Sequence, residues 1–154
     1  MEDAPSADII EVLGLLELIH DYRNSMPVDE IHNFTGMEFD ELQPVIEAAE
    51  QLGLIKIKGQ LVSLTRDGLE LLKKQPHERK ALLAKKILQM KVFSKIKEKL
   101  DRKGKMSVAE VIRELNREGV KGKPTEEELR YIIMWGTYAN LFDYDHERQL
   151  LKRL

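Results

Sequence analysis

The strongest constraint in this 154-residue chain is an ordered run of signals in its first half: three helical patterns, then two short alternating segments around Gly59-Gln60. Ile9, Ile10, Val12, Leu13, Leu15, Leu16, Leu18 and Ile19 recur at helical spacing and predict a well-buried helix over residues 8–22. Pro27 suits the first turn of a short helix that runs through Phe34 and breaks at Gly36. Residues 38–52 predict a third helix, with Phe39, Leu42, Val45, Ile46, Ala49 and Leu52 on its apolar side, Pro44 in its second turn and Gly53 as its stop. Residues 54–58 and 61–65 flank a two-residue turn and predict a hairpin. Thr65 or Asp67 caps a further helix to about Lys74. Three helices followed by a hairpin is the winged-helix order, so residues 6–75 are expected to form a winged-helix-like module.

Pro76 marks a joint. Residues 77–100 read as one long helix, with Leu82, Leu83, Ile87, Leu88, Val92, Phe93, Ile96 and Leu100 on its apolar side, so residues 76–105 are expected to form a basic linker helix. Ser107 with Glu110 is a capping box, opening a helix that carries Val108, Val111, Ile112 and Leu115 and ends at Gly119. A loop over residues 121–124 leads to a second capping box, Thr125 with Glu128, and an aromatic helix. Residues 140–144 and 149–153 read as two short strands. Residues 106–154 thus repeat the order of the first half in pattern, though not in visible identity, and are expected to form a second winged-helix-like module. The expected fold class is mainly α with small β-hairpins: two winged-helix-like modules joined by a long helix.

Charge is distributed unevenly along the chain. Residues 1–72 hold 4 basic and 15 acidic side chains, a net −11; residues 73–105 hold 13 and 3, a net +10; residues 106–154 hold 8 and 9. An acidic module followed by a basic helix is the simplest reading. No apolar run approaches the roughly 20 residues that span a bilayer, so no membrane insertion is expected. The start has no basic segment of a secretory signal, and cysteine is absent, which rules out disulfides and thiol chemistry. Cytoplasmic residence is the expectation.

A recognition helix presents cations and amides to DNA. The helix over residues 38–52 instead offers Glu38, Asp40, Glu41, Gln43, Glu47, Glu50 and Gln51, with no Lys or Arg. Repulsion from a duplex carrying one charge per ~1.7 Å should dominate, even against Lys56 and Lys58 of the first wing. Glu38, Glu41 and Glu47 are therefore read as candidates for binding a protein partner. Lys85, Lys86, Lys91, Lys95, Lys99, Arg102, Lys103 and Lys105 form the candidate surface for an anionic partner, nucleic acid or lipid headgroup. The competing and preferred reading is a solvated face that balances the acidic half, within the chain or across a homodimer. The alternative function is a winged-helix DNA-binding regulator whose affinity lies in the basic stripe; DNA is the less favoured partner.

Tyr131, Trp135, Tyr138 and Phe142 are spaced four, three and four apart and hold four of the nine aromatic residues, with Tyr144 just beyond. The expected role of Tyr131, Trp135 and Phe142 is a small core, with Tyr138 and Tyr144 half-exposed as candidate anchors for a partner. Gly136 inside this helix hints at close packing by a neighbour. A small-molecule sensor built on these rings is a third reading, although no residue set picks out a ligand. His20, His32, His77 and His146 form no zinc-binding spacing, and Asp143, Asp145 and Glu147 lack the pattern of an EF-hand loop, so a polar hairpin turn is the better reading. No metal, cofactor or catalytic residue is expected, and the chain is read as a non-enzyme.

The tail Trp135-Gly-Thr-Tyr-Ala-Asn-Leu-Phe-Asp-Tyr-Asp145 resembles the end of the C-terminal AAA-associated (accessory) domain of ATP-binding subunits of nitrate/sulfonate/taurine-type ABC transporters. Gly59-Gln-Leu-Val-Ser-Leu-Thr-Arg-Asp-Gly68 and Glu78-Arg-Lys-Ala-Leu-Leu-Ala84 are similar to two further segments of that domain, in the same order. In full-length subunits an ATPase domain stands in front. This sequence has no Gly-x-x-x-x-Gly-Lys-Ser/Thr loop to cradle phosphates, so it is not expected to hydrolyse ATP. The resemblance implies a regulatory or protein-interaction module whose partner is an ABC transporter ATPase subunit, and it transfers no catalytic residue.

Overall fold

The computed structural model describes residues 4–117 and 126–154. The chain divides into two compact units, Ser6–Arg79 and, from Lys80 to Leu154, a second. The chain is mainly helical, with two small antiparallel three-stranded sheets.

The first unit runs α1 (Ile9–Asp21), β1 (Ser25–Pro27), α2 (Val28–Thr35), α3 (Phe39–Gln51), β2 (Ile55–Lys58), β3 (Leu61–Leu64) and α4 (Arg66–Lys73). Asp8 caps α1 by accepting from the Ile10 N–H at 2.8 Å, and Thr65 caps α4 by accepting from Gly68 at 3.1 Å. β3 is the central strand, between β1 and β2. Ile9, Val12, Leu16 and Ile19 of α1 are buried, as are Leu42, Val45, Ala48 and Ala49 of α3 and Val62 of β3. Pro44 sits inside α3, early enough that most of the helix's hydrogen-bond ladder is untouched.

After α5 (Pro76–Ile87), the second unit continues with α6 (Lys91–Lys103), β4 (Lys105–Ser107), α7 (Val108–Arg117), α8 (Glu126–Tyr138), β5 (Asp143–Asp145) and β6 (Leu150–Lys152). Its sheet order is β4-β6-β5, which matches β1-β3-β2 strand for strand. The match extends to single hydrogen bonds. Val28 N–H donates to Gln60 C=O and Val108 N–H to Gln149 C=O; Leu64 N–H donates to Asn24 C=O and Arg153 N–H to Gly104 C=O. Leu54 N–H returns to Ala49 C=O past the end of α3, and Leu141 N–H to Gly136 C=O past the end of α8, both in the Schellman pattern. The left-handed residue that this pattern needs is Gly53 (φ 71°) in one unit and Asn140 (φ 58°) in the other. The repeat expected from pattern alone is thus a repeat of backbone geometry.

Two expectations need correction. The single long helix over residues 77–100 is two helices, α5 and α6, separated at Leu88–Met90, where Met90 takes an extended backbone with ψ 128°. The cause is phase. Ile87 and Ile96 are both fully buried, yet in one straight helix they would stand two and a half turns apart, on opposite faces. Only a break lets both reach a core. The hairpins are three-stranded sheets, because Met26 of β1 and Met106 of β4, each fully buried, pair with Val62 and Leu151. Phe142 lies beyond the end of α8, and its ring folds back against Gly136. The expected helix end at Gly119, the loop over residues 121–124 and the Thr125 cap lie outside the described residues.

Candidate interaction surfaces

The basic candidates occupy two helices and a strand. Lys85 and Lys86 are on α5, Lys91, Lys95, Lys99, Arg102 and Lys103 on α6, and Lys105 on β4. Four of the six cations on α6 are already met by carboxylates of its own unit. Lys95 reaches Glu98 at 3.7 Å, Lys97 reaches Asp101 at 2.7 Å, Lys99 reaches Glu114 at 2.7 Å and Lys103 reaches Glu110 at 3.2 Å. Glu114 is buried, 3% exposed, and also accepts from Arg117 at 3.3 Å. Burial of a carboxylate requires such partners, so Lys99 is held as a structural cation. Glu110 completes the capping box of α7: the Glu110 N–H donates to Ser107 Oγ at 3.2 Å, while the Ser107 N–H donates to Glu110 Oε1 at 3.4 Å. Partial burial pushes the Glu110 carboxyl up, but the Lys103 ammonium and the Ser107 N–H outweigh it and hold the pKa below its ordinary value.

The acidic candidates are exposed on α3. Glu41 accepts from the Glu38 N–H at 3.3 Å and so helps to start the helix, while Glu47 accepts from Gln43 at 3.2 Å. The helix presents carboxylates and amides without a cation, as expected.

Of the three rings expected in the core, Trp135 and Phe142 are buried, whereas Tyr131 is not. Trp135 is fully buried and stacks on Phe93 with centroids 6.2 Å apart; Phe142 is 1% exposed. Tyr131 is only half-buried. Its hydroxyl donates to Glu127 at 2.6 Å, which raises its pKa because the carboxylate favours the protonated phenol. Tyr138 is half-buried under the Lys80 ammonium, 5.0 Å from the ring centroid. Tyr144 is half-buried on β5, edge-on to His146 at 4.9 Å. Asp145 closes the β5–β6 turn: the Arg148 N–H first, then the Lys152 ammonium at 3.4 Å, lower its pKa. That is the polar turn expected here. Among the described residues, no three His, Asp or Glu side chains are grouped to hold a metal ion.

Two grooves were not foreseen. One, of about 750 Å³, lies between α8 and the β5–β6 turn, with Leu129, Arg130, Ile133, Met134, Tyr144 and His146 in its wall. The other, of about 390 Å³, lies between α1 and α3. Their sequence signal is a helix too apolar for one face. Residues 132–135 are four consecutive apolar residues on α8, and α1 carries Ile9-Ile10, Leu15-Leu16 and Leu18-Ile19.

Among the described residues no helix is long and apolar enough to cross a membrane. Comparison with curated proteins finds no match. Residues 30–145, well over half of the chain, match the family described as the C-terminal AAA-associated domain. That span covers α3, the β2–β3 hairpin and the aromatic helix, and ends at β5. The chain therefore belongs to the C-terminal AAA-associated domain family.

Proposed function

We propose that this chain is a non-enzymatic, cytoplasmic protein-interaction module that docks on the ATP-binding subunit of a nitrate/sulfonate/taurine-type ABC transporter and biases its ATP cycle. The observation that carries the reading is the surface of α3, the helix that would read DNA in a winged helix. It exposes Glu38, Glu41 and Glu47 with no cation among them. Such a face repels phosphate and suits a protein surface bearing Lys and Arg. The α-β-α-α-β-β order of both units supports a winged-helix-like description, with the wings at β2–β3 and β5–β6. Pairing of Lys95, Lys97, Lys99 and Lys103 within the second unit weakens the rival reading of α6 as a nucleic-acid surface. A homodimer, joining acidic and basic blocks of two chains, is a subsidiary proposal.

Size-exclusion chromatography of the chain mixed with such an ATPase subunit at micromolar concentration tests the proposal. A stable complex is expected, weakened by Glu47→Lys, an exposed change that leaves the core untouched. Absence of a complex sinks the reading. A fluorescent random-sequence duplex should show no binding at ~50 mM or ~200 mM salt; binding at the lower salt that collapses at the higher would transfer the function to DNA.

A further inference from the structure

We infer that the groove between α1 and α3 is the docking seat for an amphipathic helix of a partner protein, one that carries Lys or Arg beside its apolar face; this rests on the protein-interaction reading above. Leu15, Leu42 and Val45 form the floor, while Gly14, Leu18 and Met37 stand at the sides. Glu11, Leu15, Leu18 and Tyr22 recur at spacings of four, three and four, so Tyr22, just past the end of α1, follows the helix face that borders the groove. Tyr22 is 40% exposed and meets the edge of Phe34, which is 63% exposed, at 6.0 Å. Ile10, at 56% exposed, stands one turn before Gly14. An apolar channel with exposed large side chains at both ends is the form of a helix-in-groove site.

Gly14 supplies an independent argument. A glycine in the middle of a thirteen-residue helix costs stability relative to alanine. Gly68 and Gly136 have a reason inside their own units, since a Cβ at either would overlap a neighbour. A Cβ at Gly14 would meet nothing within 4 Å. The fold of this unit does not need a glycine there, whereas a second helix lying close along α1 would.

Charge selects the occupant. Glu11 lines the channel, and Asp21 on α1 and Glu38 and Glu41 at the start of α3 are exposed on the two helices that flank it. From Glu17 to Glu47 the sequence holds eight carboxylates and one arginine. An acidic or phosphate-bearing partner would be repelled, and a basic amphipathic helix gains both contacts.

The test uses the full chain and a fluorescein-labelled amphipathic peptide of leucine and lysine, with a leucine–glutamate peptide as its counterpart. The lysine peptide should bind by anisotropy and the glutamate peptide should not. Gly14→Leu, which fills the channel, should weaken binding by about tenfold or more, the loss expected from blocking a buried anchor. Gly14→Ala should raise the melting temperature and still weaken binding, a pairing that a purely structural glycine would not give. Equal affinity of wild type and Gly14→Leu, or equal binding of both peptides, overturns the inference. The same variants in the ATPase-subunit mixture separate the two readings. A complex indifferent to Gly14→Leu removes the groove and keeps the function. Peptide binding without any subunit complex keeps the groove and removes the function.

Discussion

Where α3 buries Ala48 and Ala49, α8 buries Trp135 and Gly136 at the same places relative to the helix end, and the difference runs outward from there. Leu52 becomes Ala139, and Ile55 becomes Phe142. One enlargement is answered by a missing side chain and the other by a stacked ring. Phe142 occupies the space that a side chain at 136 would need, and Trp135 is matched by Phe93 of α6. The two units thus reach the same topology through an aliphatic core and an aromatic one. Topology is shared while the residues that fill the two cores differ. This explains why the repeat is plain in backbone hydrogen bonds and invisible as identity. The hairpins diverge as well: Lys56 and Lys58 of β2 stand where β5 carries Asp143 and Asp145.

The largest test of this contrast is Trp135→Ala. Few aromatic partners stand ready to fill the void, so a loss of about 3–5 kcal/mol is expected, enough to unfold the second unit. Hydrogen exchange should show protection lost in α6, α8 and β6 while α1, α3 and β3 keep theirs. Uniform loss across both units would mean that the two cores do not stand separately.

Gly136→Ala comes next. An added methyl would overlap the Phe142 ring, so overpacking should cost about 1–3 kcal/mol. Pairing it with Phe142→Leu should recover much of that loss. Trp135 is the chain's sole tryptophan, so urea titration followed by its fluorescence reads this unit alone. No recovery in the double variant would show that the glycine serves something other than that ring.

The repeat was legible as far as periodicity and caps reach. The apolar spacing of α1 and α3, the stop at Gly53, the Thr65 cap and the Ser107–Glu110 box all fall where the sequence places them, because each is decided by residues within a turn of one another. The break between α5 and α6 was not legible. Leu88 and Met90 continue an apolar run without Gly or Pro, and only the tertiary demand that Ile87 and Ile96 both be buried separates the helices. β1 and β4 are three residues each, too short for alternation to register, and exist because β3 and β6 offer an open edge. At the surface, the exposure of the α3 carboxylates followed from sequence. The pairing of the α6 lysines and both grooves did not, since they depend on which helix lies opposite.

The left-handed residue after each third helix allows a smaller test. Asn140 adopts positive φ at a steric cost that Gly53 avoids, offset by glycine's greater freedom when unfolded. Asn140→Gly should stabilise the second unit by about 0.5 kcal/mol, and Gly53→Asn should destabilise the first by a similar amount. Opposite signs in the two melting curves support equivalent helix ends; the same sign in both argues against it.

The smallest effect concerns acid, and it divides the units by how their second helices begin. α2 starts at Pro27 without a side-chain cap, whereas α7 starts in the Ser107–Glu110 box. Glu110 is more acidic when folded than when unfolded, because Lys103 and the Ser107 N–H favour its carboxylate despite partial burial. A depressed folded pKa means that the stabilisation is complete above the unfolded value of about 4.5 and is lost as pH falls through the folded one. Lowering the pH from 6 to 3 should therefore loosen the start of α7 through this group, and Glu110→Gln should remove that part of the dependence while leaving the response of α2 unchanged. Amide exchange at Val108–Glu110 against Val28–Glu30 across that range makes the comparison directly. Equal acid sensitivity at both helix starts would show that Glu110 is not what sets it.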